Sequence, residues 1–223
     1  MQSSFTLTTQ RTARVEVRAH PAAANVQTLW IACHGYGMPV DRFADWFLPL
    51  LGENAEGTHA VFCPEGLSRF YWGAFDGPPV ASWMTRAARL HEIEDFCAYL
   101  DEVYAKAKAV YPTASVVLFG FSQGAATIMR WTQRRRPAYD RIVLWSGTPP
   151  EDIDYAPLAY YPPHKLHSRW GNEDELVAWS RAQIRFEEVG LPFRHRHFAG
   201  GHRITPDALC ELARALQVEL HTT

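Results

Sequence analysis

The chain has no apolar run of membrane-spanning length, so the sequence offers no candidate transmembrane helix. Met1 to His20 lacks the apolar core of a secretory signal. Basic charge is not in excess. The net charge is -2, which favours neither nucleic acid nor an anionic membrane as a partner. The only basic run, Arg134-Arg135-Arg136, falls where a helix should end and reads as a solvated end complementing the helix dipole. The cysteines, Cys33, Cys63, Cys97 and Cys210, are widely spaced and form no C-x-x-C pair. They read as buried free thiols of a reducing compartment, with the cytoplasm as the expected location. There is no repeat, low-complexity tract or linker, so residues 1–223 are expected to form one domain.

What is present suits an α/β domain. Hydrophobic residues make up 47% and charged residues 21% of the chain, the balance of a globular protein with a full core. Phe5 to Thr9 and Thr12 to Ala19 alternate like a leading hairpin. Strands are expected at Thr28 to Cys33, His59 to Cys63, Ser115 to Phe119, Arg141 to Trp145, Lys165 to Trp170 and Phe193 to Phe198. Helices are expected at Asp41 to Leu51, Arg86 to Ala109, Glu175 to Val189 and Pro206 to Leu220. A long aromatic-rich loop runs from Pro64 to Trp83. Strands alternating with helices imply a mostly parallel sheet covered on both faces. Ligands then bind beyond the carboxyl ends of the strands.

Gly120-Phe121-Ser122-Gln123-Gly124 carries the chemistry. Before it, Val116-Val117-Leu118-Phe119 reads as a buried strand. After it, Ala125 to Trp131 reads as a helix. Strand, sharp turn and helix form the setting of a nucleophile elbow, with Ser122 held clear of the sheet. A serine hydroxyl needs a base, an acid that orients the base, and donors for the oxyanion. On such scaffolds the acid and then the histidine follow the serine in chain order. Gly171-Asn172-Glu173-Asp174-Glu175 ends a later strand, and Asp174 in that turn is the best acid. Glu173 and Glu175 read as charges at a helix start, and Asp152 is the minor alternative. His202 in Ala199-Gly200-Gly201-His202 follows the last strand and is the expected base. His195 and His197 share a strand face, but no third ligand lies nearby, so they read as sheet residues rather than a metal site. His34-Gly35-Tyr36-Gly37 lies where a second oxyanion donor is expected. The donors are then the backbone N–H groups of Tyr36 and Gln123. No cofactor or metal is called for.

These motifs, with Trp145-Ser146-Gly147 and Gly201-His202, resemble the phospholipase/carboxylesterase family of α/β-hydrolases, which includes acyl-protein thioesterases. The resemblance spans nearly all of the chain after about residue 27. It implies the α/β-hydrolase fold, with Ser122 as nucleophile, Asp174 as acid and His202 as base, and the Tyr36 and Gln123 amides as oxyanion donors. Similar proteins are often homodimers, although no segment here reads as a decisive interface. The family's thioesterases commonly carry H-G-D-x-D before the acid, and this chain has Trp170-Gly171-Asn172-Glu173-Asp174. Ala125 stands after Gly124 where a run of glycines is common. Arg69 to Gly77 is also unlike the thioesterase pattern, which weighs against a lipidated-protein substrate.

The expected function is a serine hydrolase that cleaves small-molecule carboxylic esters, with short to medium acyl or aromatic groups, through an acyl-enzyme. A thioesterase or lysophospholipase would use the same residues. A binding protein on this fold would not need a complete triad. The interval Ser146 to His164 is too short for a cap domain, so the site is expected to be open there. The aromatic segment Pro64 to Met84 is expected to shape the substrate pocket, with Trp72, Phe75 and above all Trp83 as walls.

Overall fold

A computed structural model describes residues 4–19, 26–52 and 58–221. Nine strands run in chain order as β1 (Val15–Ala19), β2 (Thr28–Cys33), β3 (His59–Pro64), β4 (Ser68–Tyr71), β5 (Pro79–Ser82), β6 (Ser115–Phe121), β7 (Arg141–Trp145), β8 (Leu166–Gly171) and β9 (Arg194–Phe198). The helices are α1 (Val40–Asp45), α2 (Arg89–Val110), α3 (Gln123–Arg135), α4 (Trp179–Val189) and α5 (Pro206–His221). Seven strands form the central sheet in the order β1-β3-β2-β6-β7-β8-β9. Only β1 is antiparallel to its neighbour.

Alternation along the central strands sorts the core into two layers. Leu29, Ile31, Val116 and Leu118 join Phe96 and Leu100 of α2, Ile128 of α3 and Phe186 of α4 on one face. Trp30, Ala32, Val117 and Phe119 join Phe43 of α1 and Leu209 and Leu212 of α5 on the other. Both faces are thus covered, which is why these parallel strands read as nearly continuous apolar runs.

The chain order fixes where a site can form. From β2 the chain steps outward to β3, then crosses back to β6 on the other side of β2 and continues outward through β7, β8 and β9. The direction of winding reverses between β2 and β6. Loops leaving the carboxyl ends of two such strands turn apart, and the crevice between them is the expected binding place.

Several boundaries differ from the sequence reading. Phe5 to Thr9 forms no strand, and β1 pairs with β3 instead of a hairpin partner. Its antiparallel edge position supplies the alternation. Asp41 to Leu51 is two pieces, α1 and a 3₁₀ turn at Leu48–Leu51 with Pro49 in its first positions. The segment from Pro64 to Trp83 is not all loop: β4 and β5 pair as a separate two-stranded hairpin. The helix expected from Glu175 begins only at Trp179, because Asp174 turns the chain back on the N–H groups of Leu176 and Val177. Leu90 stands three and seven residues before the buried Ile93 and Cys97 of α2, a spacing that predicts burial, yet it is exposed in the first turn. Cys33, Cys63 and Cys97 are buried free thiols, and Cys210 is free but only half-buried. Among the described residues, no helix is long and apolar enough to cross a membrane.

Candidate active site

The elbow sits where the winding reverses. Strand β6 delivers Ser122 directly into α3, and Ser122 has φ 52° and ψ −115°. That conformation is strained for a residue with a Cβ and persists only where its surroundings enforce it. The enforcement is visible on both sides. The Ser122 N–H donates to the Trp145 carbonyl of β7 at 2.9 Å, and the Ser122 carbonyl accepts from Ala125 at 3.0 Å. Gly124 lies against the end of β2. A Cβ there would overlap the Cys33 carbonyl oxygen and come within 2.8 Å of the His34 oxygen. A Cβ on Gly120 would be 2.5 Å from the Ala125 Cα. The two glycines of the motif therefore let the helix cross the strand at backbone contact.

The acid and base come from β8 and β9. Asp174 Oδ1 accepts N–H bonds from Leu176 at 3.1 Å and Val177 at 3.0 Å, which leaves Oδ2 for His202 Nδ1 at 2.8 Å. The carboxylate side chain is 1% exposed and the imidazole 7%. The His202 loop is drawn in by Glu175, whose Oε2 accepts the His202 N–H at 3.3 Å, and by the Glu173 N–H bonded to the Gly200 carbonyl at 2.9 Å. Glu175 thus holds the histidine loop as well as opening the turn, a role that spacing alone does not signal. The His202 ring packs on Phe121, the residue before Ser122, with centroids 5.1 Å apart. No hydrogen bond joins the Ser122 hydroxyl to His202 here. Catalytic bonds of this kind commonly tighten only around bound substrate.

Asp152, the alternative acid, faces elsewhere. It pairs with Arg130 at 2.6 Å and Arg89 at 2.7 Å. Burial pushes its carboxyl up, but the bond to Arg130 and the charges of Arg130 and Arg89 outweigh this and hold it below the usual carboxylate range. Of the two acids, only Asp174 contacts a histidine. His195 and His197 lie on β9 against Trp179. Among the described residues, no group of three or more His, Cys, Asp or Glu side chains is placed to hold a metal ion.

The N–H groups of Tyr36 and Gln123 have no acceptor among the described residues. Gln123 is the first residue of α3, where the N–H is free of the helix ladder. Beneath the Tyr36 loop lies His34, fully buried. Its Nδ1–H donates to the Gly35 carbonyl at 2.6 Å, and its Nε2 accepts the Gly66 N–H at 2.9 Å. The second contact requires the neutral ring, because Nε2 can accept only when it carries no proton. Burial lowers its pKa to about 4, with the Gly35 bond and the Glu65 charge opposing the shift.

The three aromatic candidates separate. Trp72 is half-exposed and lies over Gly37, with its ring 5.9 Å from that of Tyr36. Phe75 is 97% exposed at the tip of the β4–β5 hairpin. Trp83 is 1% exposed. Its indole N–H donates to the His34 carbonyl at 2.9 Å, and its ring packs on His34 and Phe96. Trp83 therefore props the loop from beneath and does not form the wall expected of it. Its bulk and its place in a loop gave no sign of which way it faces. A cavity of about 450 Å³ lies apart from all of these, between the segment after β7 and α4, lined by Tyr155, Leu158, Arg185 and Val189 among others.

Comparison with known proteins bears on this arrangement through fold. No family model matches the chain, and no curated protein matches it. Solved structures do. Acyl-protein thioesterase 2 of Zea mays superimposes with a TM-score of 0.68 at 17% identity, over 94% of this chain and all of the other. The esterase PE8 gives 0.63 at 18% identity over 92% of this chain and all of the other. A phospholipase/carboxylesterase from Dyadobacter fermentans gives 0.60 at 16% identity over 94% and 99%. With the seven-stranded, mostly parallel sheet, these likenesses show that the chain has the α/β-hydrolase fold.

Two outcomes follow from the site's construction. Gly124→Ala should destabilise the protein by about 1–3 kcal/mol or more, because the Cβ meets backbone that cannot move aside. Gly52→Ala, where an added Cβ meets nothing, is the control for thermal unfolding of the pair. The second outcome concerns acid. The folded pKa of His34, about 4, lies below the ordinary histidine value of 6.5. Between those values the unfolded chain binds the proton and the folded chain does not, so stability falls as pH drops from 6.5 to about 4. The full loss from this residue is on the order of 3 kcal/mol. Denaturant titrations at pH 7, 5.5 and 4 should show a shallower decline in His34→Gln than in the wild type.

Proposed function

We propose that this chain is a serine hydrolase of carboxylic esters, acting through an acyl-enzyme on small-molecule substrates. The observation that carries the reading is the buried Asp174–His202 pair facing the elbow that presents Ser122 in a strained backbone conformation. Ser122 Oγ attacks the ester carbonyl as His202 Nε2 takes its proton. Asp174, bonded to Nδ1, fixes the tautomer that leaves Nε2 free to accept, and stabilises the imidazolium that forms. The Tyr36 and Gln123 N–H groups receive the carbonyl oxygen as it becomes an oxyanion, and their lack of internal acceptors keeps them available. His202 returns the proton to the leaving alcohol, then activates water to clear the acyl group from Ser122.

A thioester would be handled by the same steps with a thiol as leaving group, and the fold shared with the thioesterase of Zea mays favours keeping this second reading. Short to medium acyl or aromatic esters fit the first reading best. The segment between β7 and β8 contains only two short 3₁₀ turns, so no helical cap encloses a long chain there. Trp72 and the exposed Tyr36 ring border the oxyanion loop and are the walls this reading retains.

Ser122→Ala should fold as the wild type does and lose turnover of p-nitrophenyl esters by at least about a thousandfold, along with labelling by a fluorophosphonate probe. Retained turnover in the purified variant would remove Ser122 from the chemistry. The acid is tested by contrast. Asp174→Asn should cost about ten-thousandfold in kcat by favouring the wrong imidazole tautomer. Asp152→Asn should leave kcat within about threefold and instead lower stability by about 1–3 kcal/mol, since the buried Arg130 loses its charged partner. The reverse ranking would move the acid to Asp152.

A further inference from the structure

Two free N–H groups make an oxyanion hole only if their spacing is fixed. The sheet fixes part of it. Cys33 of β2 pairs with Gly120 of β6. Tyr36, however, lies three residues beyond Cys33, in a turn. No backbone hydrogen bond joins residues 34–36 to residues 122–124 among the described residues. Packing of Gly124 on the Cys33 and His34 carbonyls sets the approach of the two segments, and hydrogen bonds from a third segment tie the first donor to the second.

The tie runs through the end of β5. The Trp83 indole N–H reaches the His34 carbonyl at 2.9 Å, two residues before Tyr36. The backbone N–H of the same residue reaches Gln123 Oε1 at 3.1 Å. The Gln123 side chain is held in that orientation because its Nε2 donates to the Met84 carbonyl at 3.0 Å. On the other side, the Gly37 N–H donates to the Ala81 carbonyl at 2.9 Å, and the Ala81 N–H returns to Met38 at 3.3 Å. Phe96 of α2 packs edge-on against the indole and fixes its plane. One residue therefore bonds with its side chain to the loop carrying one donor, and with its backbone to the side chain of the residue that is the other donor.

We infer that Trp83 is a positioning residue, a strut that sets the separation of the Tyr36 and Gln123 N–H groups. Its indole bond to His34 and its backbone bond to Gln123 lie in series through Trp83, beside a parallel tie in which Gly37 bonds Ala81 and the Gln123 side chain bonds the Ser82 hydroxyl and the Met84 carbonyl. The Gln123 side chain is the second member of the strut, distinct from the part its own N–H plays. The inference rests on the ester-hydrolase reading above and adds to it a cause for the geometry of the oxyanion hole. A donor displaced by about 1 Å can cost about a hundredfold in rate.

The test uses two variants that keep packing and backbone donors. Trp83→Phe removes the indole N–H and retains an aromatic ring. Gln123→Met removes the side-chain acceptor and donor and retains the N–H of the elbow. Each should lower kcat for an oxoester about ten- to hundredfold, with KM within about threefold, because the loss is felt in the transition state. Each should also narrow the preference for an oxoester over its thionoester analogue, since the larger, weakly accepting sulfur gains nothing from a tightly spaced hole. The double variant should be no slower than the slower single one by more than about threefold, because Gln123→Met already severs the bonds from Ser82, Trp83 and Met84 to the elbow side chain, so that losing the indole link adds little.

Unchanged kcat and an unchanged oxoester-to-thionoester ratio in both variants, whatever their melting temperatures, would overturn the strut. So would losses that multiply in the double variant. If Trp83→Phe fails to fold, Gln123→Met alone decides, because its side chain is only partly buried. Ser122→Ala separates the two levels. Turnover surviving in that variant would defeat the hydrolase reading itself, whereas a dead Ser122→Ala beside unimpaired strut variants would defeat the strut alone.

Discussion

The site depends on one backbone contact, the packing of Gly124 at the start of α3 against the Cys33 carbonyl at the end of β2. It forms where the winding of the sheet reverses, so a helix entering from β6 must cross the mouth of β2 at close range. With no side chain at Gly124 the helix can settle there. Ser122 is then forced through a positive φ and onto the rim. The first N–H of α3 is left facing the loop that follows β2. The proposed nucleophile, one proposed donor and the place for the second are consequences of that single approach.

Asp174 and His202 solve a different problem, because they are supplied by loops rather than by regular elements. Neither loop would hold its side chain alone. The Asp174 carboxylate gives one oxygen to two N–H groups of its own turn and the other to His202. Glu173 and Glu175 then bind the backbone of the histidine loop at Gly200 and His202. Gly171 allows that loop to lie against the end of β8, since a Cβ there would be 2.5 Å from the Gly201 oxygen. Each of these polar contacts is modest by itself. Their value lies in orientation, because a carboxylate with both oxygens engaged fixes the plane of the imidazole it holds.

How much of this was legible in the sequence follows from the kind of signal each part leaves. The elbow shows because it needs glycine on both sides of a serine between an apolar strand and a helix. Asp174 and His202 show because chain order and strand ends are readable from periodicity and punctuation. Chain order alone pairs the two, and in the structure Asp174 Oδ2 and His202 Nδ1 lie 2.8 Å apart. The hairpin β4–β5 did not show, because its strands are short, one carries Pro79, and the aromatic residues of the segment mask alternation. Trp83 was misplaced for a related reason. A tryptophan in a loop next to a site can line it or support it, and both choices leave the same composition. Its two hydrogen bonds, one from the ring and one from the backbone, exist only in three dimensions. Helix α4 begins late because Asp174 spends the preceding residues on its own turn, a competition between side chain and helix that propensity does not rank.

The placement of the hairpin also joins specificity to rate. The segment after β7 is short and carries no helical cap, and the β4–β5 hairpin lies against the loop that follows β2. Its tip exposes Tyr71, Trp72 and Phe75, while its base supplies Ala81, Trp83 and Met84 to the oxyanion loop and the elbow. Tip and base are one continuous ladder from Ser68–Ser82 to Tyr71–Pro79. In enzymes that close a separate lid, the residues that choose a substrate can change without disturbing the residues that stabilise charge. Here Trp72 rests on Gly37 and the Tyr36 ring, and the hairpin that carries it continues down to Trp83. On the proposed function, substitutions at the tip that alter acyl preference should therefore act on kcat as well as KM, because the same two strands would carry the substrate wall and the spacing of the proposed oxyanion donors.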